Sequence, residues 1–127
     1  MSSSEITTHG VHVRAEPQHR PDLSEPGRWV FQYTIHITNL NDRPVRLLAR
    51  HWIITDGHGH VEHVRGAGVV GEQPRLAPGA THSYSSGCPL PTSIGQMEGS
   101  YLMTWDDGAT FEVAVAPFAL VVEDLLN

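Results

Sequence analysis

The chain contains no lysine. All eight of its basic residues are arginine, set against 14 acidic residues, for a formal net charge of −6. Phosphate contacts dominate nucleic-acid affinity, so an acidic chain without a basic run is not expected to wrap DNA. A small local arginine site remains open. A single cysteine, Cys88, excludes an internal disulfide and fits a reducing compartment. No apolar run approaches the ~18 residues of a membrane helix, so no membrane insertion is expected. The opening stretch, Met1 to Gly10, has neither a basic nor an apolar segment of the kind a secretory signal carries. No stretch of ten or more residues keeps a helical period. Together these absences point to a soluble, cytoplasmic, helix-poor protein.

What the chain does have is alternation. Its 127 residues suit one domain over 1–127, with an ordered part from about residue 6 to 120. Val11, Val13 and Ala15 alternate with His12, Arg14 and Glu16. Trp29, Phe31, Tyr33, Ile35 and Ile37 share one parity and define a core face. Val45 to Thr55 is apolar on both parities, which implies cover on both sides or a twist past an edge. Ala80 to Ser86 and Met97 to Trp105 alternate again. Asp106-Asp107-Gly108 predicts a hairpin into Ala109 to Pro117. Pro17 to Gly27 and Gly87 to Gln96 read as irregular, Met1 to Ile6 as a loose terminus, and Val121 to Asn127 as strand extension or a helical turn. The sum is an all-β sandwich of about seven antiparallel strands.

The stretch Arg65 to Gly79 carries Gly66, Gly68 and Gly71 in the spacing G-x-G-x-x-G. In a dinucleotide fold those glycines open a helix that receives a pyrophosphate. Here Pro74 and Pro78 follow instead of a helix, and no lysine is present to serve as in a phosphate-binding loop. Two readings remain. Successive backbone N–H groups can form an anion-binding nest, with Arg65 and Arg75 flanking it. Alternatively the glycines allow positive φ and close backbone approach, while Val69 and Val70 plug the sandwich.

The nine histidines supply a second candidate. His60 and Glu62 share a parity, and His58 joins them from the turn Asp56 to Gly59. Imidazole and carboxylate ligands suit zinc, nickel, copper or cobalt, but the set is incomplete, and solvated turn histidines are the better explanation. Acidification toward pH 6 would charge many of the nine. Catalysis has weaker signals. Cys88 lies between Gly87 and Pro89 with nothing local to lower its pKa. Ser86 lacks a nucleophile elbow. Asp106 and Asp107 read as turn residues. No catalytic residue and no cofactor is assigned.

Several segments in order resemble one family: R-H-W-I-I-T-D-G (Arg50 to Gly57), G-A-G-V-V-G-E-Q-P (Gly66 to Pro74), L-A-P-G (Leu76 to Gly79), Y-S-S-G (Tyr84 to Gly87), G-Q-M-E-G-S-Y-L-M (Gly95 to Met103) and F-E-V-A-V-A-P-F-A-L (Phe111 to Leu120). They are similar to the bacterial ApaG (CorD) family, from about Ile6 onward. The resemblance implies a fibronectin type III-like, immunoglobulin-like sandwich. It also implies a non-enzymatic domain, linked to cobalt resistance and magnesium efflux, whose eukaryotic counterparts sit on F-box adaptors and a polymerase-associated protein. That setting suggests protein–protein interaction with an unidentified partner. The bacterial gene often neighbours a diadenosine tetraphosphate hydrolase and a ribosomal RNA dimethyltransferase. Gly66, Gly68 and Gly71 match the motif for which pyrophosphate or nucleotide binding has been proposed. The family pattern does not require histidines at His58, His60 and His63, which weakens a metal site as the basis of the cobalt link.

Overall fold

The computed structural model describes residues 3–122. Nine strands and one short 3-10 turn (Pro21–Leu23) follow in order: β1 Ser4–Thr8, β2 Val11–His19, β3 Trp29–Asn39, β4 Val45–Asp56, β5 Val61–Ala67, β6 Arg75–Leu76, β7 Thr81–Leu90, β8 Ile94–Trp105 and β9 Thr110–Val121. They form two antiparallel sheets, β1-β2-β3-β7 and β5-β4-β8-β9, with β6 added beside β4. The all-β sandwich read from the alternation is therefore the fold. The strand count differs for two reasons. The polar segment Ser4–Thr8 is not loose but pairs with β2, and Arg75–Leu76 adds a two-residue strand. Strand β7 also runs on to Leu90 through Cys88 and Pro89, because Leu90 pairs with Trp29 and both Cys88 and Leu90 are buried. The alternative of a helical turn in 121–127 falls mostly outside the described residues.

The core lies between the sheets. From the first sheet come Val11, Val13, Ala15, Phe31, Tyr33, Ile35 and Ile37; from the second, Val45, Leu47, Trp52, Met97, Tyr101, Met103, Val113, Val115, Phe118 and Leu120. Each fully buried aliphatic or aromatic side chain is worth ~1.5–3 kcal/mol against exposure. Two bulges explain where simple alternation breaks down. In β4 the pairing with β8 skips between Leu47 and Ala49. Val45 and Leu47 face inward before the skip and Trp52 after it, so the two-faced apolar pattern comes from a shift of register in one strand. In β8 and β9 the register slips between Met97 and Gly99, with Val115 and Phe118 both buried on either side of exposed Pro117. A bulge takes an extra residue out of the ladder and re-aims the side chains that follow.

The two long sides of the sandwich are not alike. On one, β1 and β9 lie together: Ser4 Oγ donates to the Ala116 carbonyl at 2.8 Å, and the Ala114 N–H donates to Thr8 Oγ1 at 3.2 Å. On the other, β7 and β5, which like β1 and β9 each end their sheet with one paired neighbour, have no such bond between them among the described residues.

Among the described residues one polar side chain is fully buried. Asn39, at the end of β3, donates from Nδ2 to the carbonyls of Arg43 (2.9 Å) and Leu76 (3.0 Å), and its Oδ1 accepts from the Asn41 N–H (3.0 Å). It ties the β3–β4 turn to β6. Truncation leaves buried groups without partners, so Asn39→Ala is expected to cost about 3 kcal/mol. Urea unfolding checks it, as a lower midpoint with an unchanged slope.

Candidate functional site

The glycine stretch builds a tight reverse turn. Val69 and Glu72 exchange backbone bonds, Val69 N–H to Glu72 O at 2.8 Å and Glu72 N–H to Val69 O at 3.0 Å. Val70 and Gly71 between them have φ of +47° and +77°. That is a two-residue hairpin of the primed type, which requires positive φ at both central positions. Gly71 fits without strain, whereas Val70 is β-branched, exposed and strained. Gly68 has φ of +62°, and a Cβ there would lie 2.2 Å from the Glu72 carbonyl. Gly66 lies within β5 beneath the Arg50 guanidinium, which a Cβ would meet at 2.7 Å.

This hairpin caps the β4 bulge. The Leu48 carbonyl accepts from the Gly68 N–H (2.8 Å) and from Gln73 Nε2 (2.9 Å). Arg50 returns the link, donating from Nη1 to the carbonyls of Ala67 (3.1 Å) and Gly68 (3.0 Å). Val69 is driven into the core, 1% exposed. Glu72 reaches across to His82 of β7, with Oε2 and Nε2 3.7 Å apart. The hairpin thus fills one end of the gap between β5 and β7.

At the other end the gap is a cleft of about 300 Å³. Tyr33, Arg50, Trp52, Ile54, Glu62, Val64, Ser86, Cys88 and Met97 are among its lining residues. Arg50, Trp52 and Ile54 line it together because the bulge at Leu48 puts all three on the inner parity. Trp52 is 3% exposed, its indole N–H has no acceptor among the described residues, and the Tyr33 ring stands edge-on to it at 5.2 Å between centroids. Deeper in, the hydroxyls of Tyr84 and Tyr101 meet at 2.5 Å and join the two sheets. Burial pushes all three phenols above their ordinary range, so they remain protonated at neutral pH. Burial, helped by the nearby Glu62 carboxylate, also pushes the Cys88 thiol up to about 11. Cys88 is therefore a thiol and not a thiolate at neutral pH, and no histidine among the described residues is bonded to it.

The residues singled out in the sequence are placed apart. Arg65 lines a surface groove with His51, Gly66, Ser100, Leu102 and Glu112, and Arg50 lines both this groove and the cleft. Partial burial, then the Arg65 charge and the neighbouring His63, hold the His51 pKa down. Arg75 pairs with Asp106 through two bonds, Nε to Oδ1 at 3.1 Å and Nη2 to Oδ2 at 2.6 Å. The N–H groups of Gly68 and Val69 bond within the chain. Asp56 organises the His58–His60 turn by accepting from both their backbone N–H groups, at 2.8 and 3.1 Å, while Glu62 lines the cleft. His63 stacks on His51, with Nδ1 and Nε2 2.9 Å apart. Among the described residues no group of three His, Cys, Asp or Glu side chains is arranged to hold a metal ion.

Sequence reading missed Arg50, Trp52, Tyr33 and Glu62 as a group. The available signal was the shared parity of Arg50, Trp52 and Ile54. It was obscured because the apolar residues before the bulge carry the opposite parity.

The DUF525: ApaG domain family matches residues 19–105. Protein ApaG of Pseudomonas aeruginosa (strain LESB58) is 50% identical over 123 residues, covering 95% of this chain and 98% of the relative. Protein ApaG of Bordetella pertussis (strain Tohama I) is 46% identical over 124 residues, covering 96% and 95%. The crystal structure of the Bordetella pertussis protein designated ApaA superposes with a TM-score of 0.85 at 50% identity, covering 87% of this chain and 92% of that one.

Val70→Asn places an Asn-Gly pair in the primed turn and should raise stability by about 1 kcal/mol, whereas Gly68→Ala should lower it by about 2 kcal/mol or more; thermal unfolding distinguishes them. The Cys88 pKa is raised in the folded state, so its contribution to stability is full below pH 9 and lost as pH rises toward 11. At pH 8 iodoacetamide should alkylate the folded chain roughly a hundredfold more slowly than the chain in urea.

Proposed function

The chain belongs to the ApaG domain family, and we propose that it is a binding domain that catalyses no reaction and docks a protein partner along its open side. The observation that carries this reading is the placing of β5 and β7. Each ends its sheet beside the cleft. An edge strand presents a row of unpaired N–H and C=O groups, and such a row takes up an extended segment of another chain by adding a strand.

The side chains of β7 favour this use. Its outward positions Thr81, Ser83 and Ser85 are small, exposed and already bonded to β3, through Thr38, His36 and Thr34. None carries a charge that would blunt the edge. Of the groups lining the cleft, the Cys88 thiol and the Tyr33 phenol are held protonated by burial, and neither is a ready nucleophile. Pyrophosphate or nucleotide binding at Gly66, Gly68 and Gly71 has less support, because the N–H groups of Gly68, Val69 and Glu72 and the Arg75 guanidinium are bonded within the chain. In this reading the chain works in the cytoplasm. Its association with cobalt resistance and magnesium efflux runs through the partner and not through a metal ion on His58, His60 and Glu62.

The test is capture of the partner from the native host with a tagged chain. Ser85→Lys places a charge on the β7 edge at an exposed position and loses one surface hydrogen bond, at a cost of about 1 kcal/mol. Partner capture should fall at least tenfold while the chain stays folded. Equal capture by both proteins would show that the β7 edge is not the docking strand.

A further inference from the structure

The cleft beside β7 holds one cation, one anion and one idle donor, and each restricts what fits. The Arg50 guanidinium bonds two carbonyls, and no carboxylate among the described residues forms an ion pair with it. Arg50 therefore has further donors for a planar anion, which a carboxylate matches through two parallel bonds. Two residues along β4, Trp52 is almost wholly buried and its indole N–H donates to no group among the described residues. A buried donor without a partner has given up its water bond and gained none, so an acceptor brought into the cleft restores it. Ile54, Val64 and Met97 supply apolar walls. Glu62, exposed on β5 and lining the same cleft, opposes a second negative charge. A phosphate or pyrophosphate fits this pattern badly, whereas a single carboxylate on an apolar body fits it well.

The edge of β7 adds a direction. Ser86 and Cys88 line the cleft and belong to a strand with one free edge, so a segment pairing with that edge runs alongside the cleft. We propose that the cleft receives the C-terminal end of an extended partner segment. Its terminal carboxylate bonds Arg50 and the Trp52 indole N–H, its last apolar side chain packs against Ile54, Val64 and Met97, and its backbone pairs with β7. This rests on the reading of the chain as an interaction domain and names the part of the partner that is held.

The experiment is NMR titration of the full chain, following the Trp52 indole N–H. The probe is an acetylated hexapeptide of threonine and valine that ends in leucine with a free carboxylate. Its C-terminal amide and N-acetylleucine serve as comparisons. The free-acid peptide should shift the Trp52 indole signal, and the amide should bind at least tenfold more weakly. N-acetylleucine, which cannot pair with β7, should also bind at least tenfold more weakly. Val64→Trp fills the cleft and should abolish the shift. Glu62→Gln, at an exposed position that leaves the fold intact, should let a peptide with aspartate before the leucine bind as well as the parent. Equal binding of acid and amide, equal binding of N-acetylleucine, or an unmoved Trp52 signal overturns the proposal. If Val64→Trp still captures the native partner while Ser85→Lys does not, the cleft proposal fails and the docking strand stands. If Ser85→Lys also captures it, the interaction reading fails with it.

Discussion

The Leu48 carbonyl is the group on which the rest of the site depends. A bulge in β4 takes Leu48 out of the ladder with β8, and a backbone carbonyl left without a partner in a half-buried position is costly. The glycine hairpin supplies two donors to it, the Gly68 N–H and the Gln73 side chain. Once that bond is made, the second half of β4 faces the core with Arg50, Trp52 and Ile54. The cleft exists because those three side chains enter the space between the sheets. The glycine motif and the cleft are thus two ends of one arrangement, joined through Arg50, which lies over Gly66 and holds the carbonyls of Ala67 and Gly68.

This explains the unusual demands on the hairpin. Each glycine meets a different constraint: Gly66 makes room for a guanidinium, Gly68 for a backbone carbonyl, and Gly71 for a positive φ. The spacing G-x-G-x-x-G arises here from three separate steric requirements in a β-hairpin, with no helix N-terminus involved. The same spacing in a dinucleotide fold answers to a different set of contacts. A pattern of glycines records where side chains are not allowed, and that prohibition has many causes.

How far the sequence could be read depended on whether the period of two survived. It did so in β3, where Phe31, Tyr33, Ile35 and Ile37 lie buried on the face predicted for them. It also did so at the β8–β9 hairpin, where Asp106-Asp107-Gly108 makes the turn. It failed in β4, because a one-residue bulge exchanges the faces and makes Val45 and Trp52 look like opposites. It failed again at Ser4–Thr8, where β1 is held by backbone pairing with β2 and by bonds to β9, and so needs no apolar side chains of its own. The candidate site was less legible than the fold. The arginines nearest the glycines in sequence, Arg65 and Arg75, lie in a surface groove and on Asp106. The one that reaches the glycines, Arg50, comes from the neighbouring strand through register that local spacing does not encode.

The bonds between β1 and β9 bear on where the sandwich can be extended. By sewing together one flank of the sandwich, Ser4, Thr8, Ala114 and Ala116 leave the accessible strand edges gathered on the opposite flank. A sandwich with free edges on both flanks could be threaded between two neighbours or stack on copies of itself into a continuous array. On the flank opposite β1 and β9, β5 and β7 end their sheets without such side-chain bonds between them among the described residues.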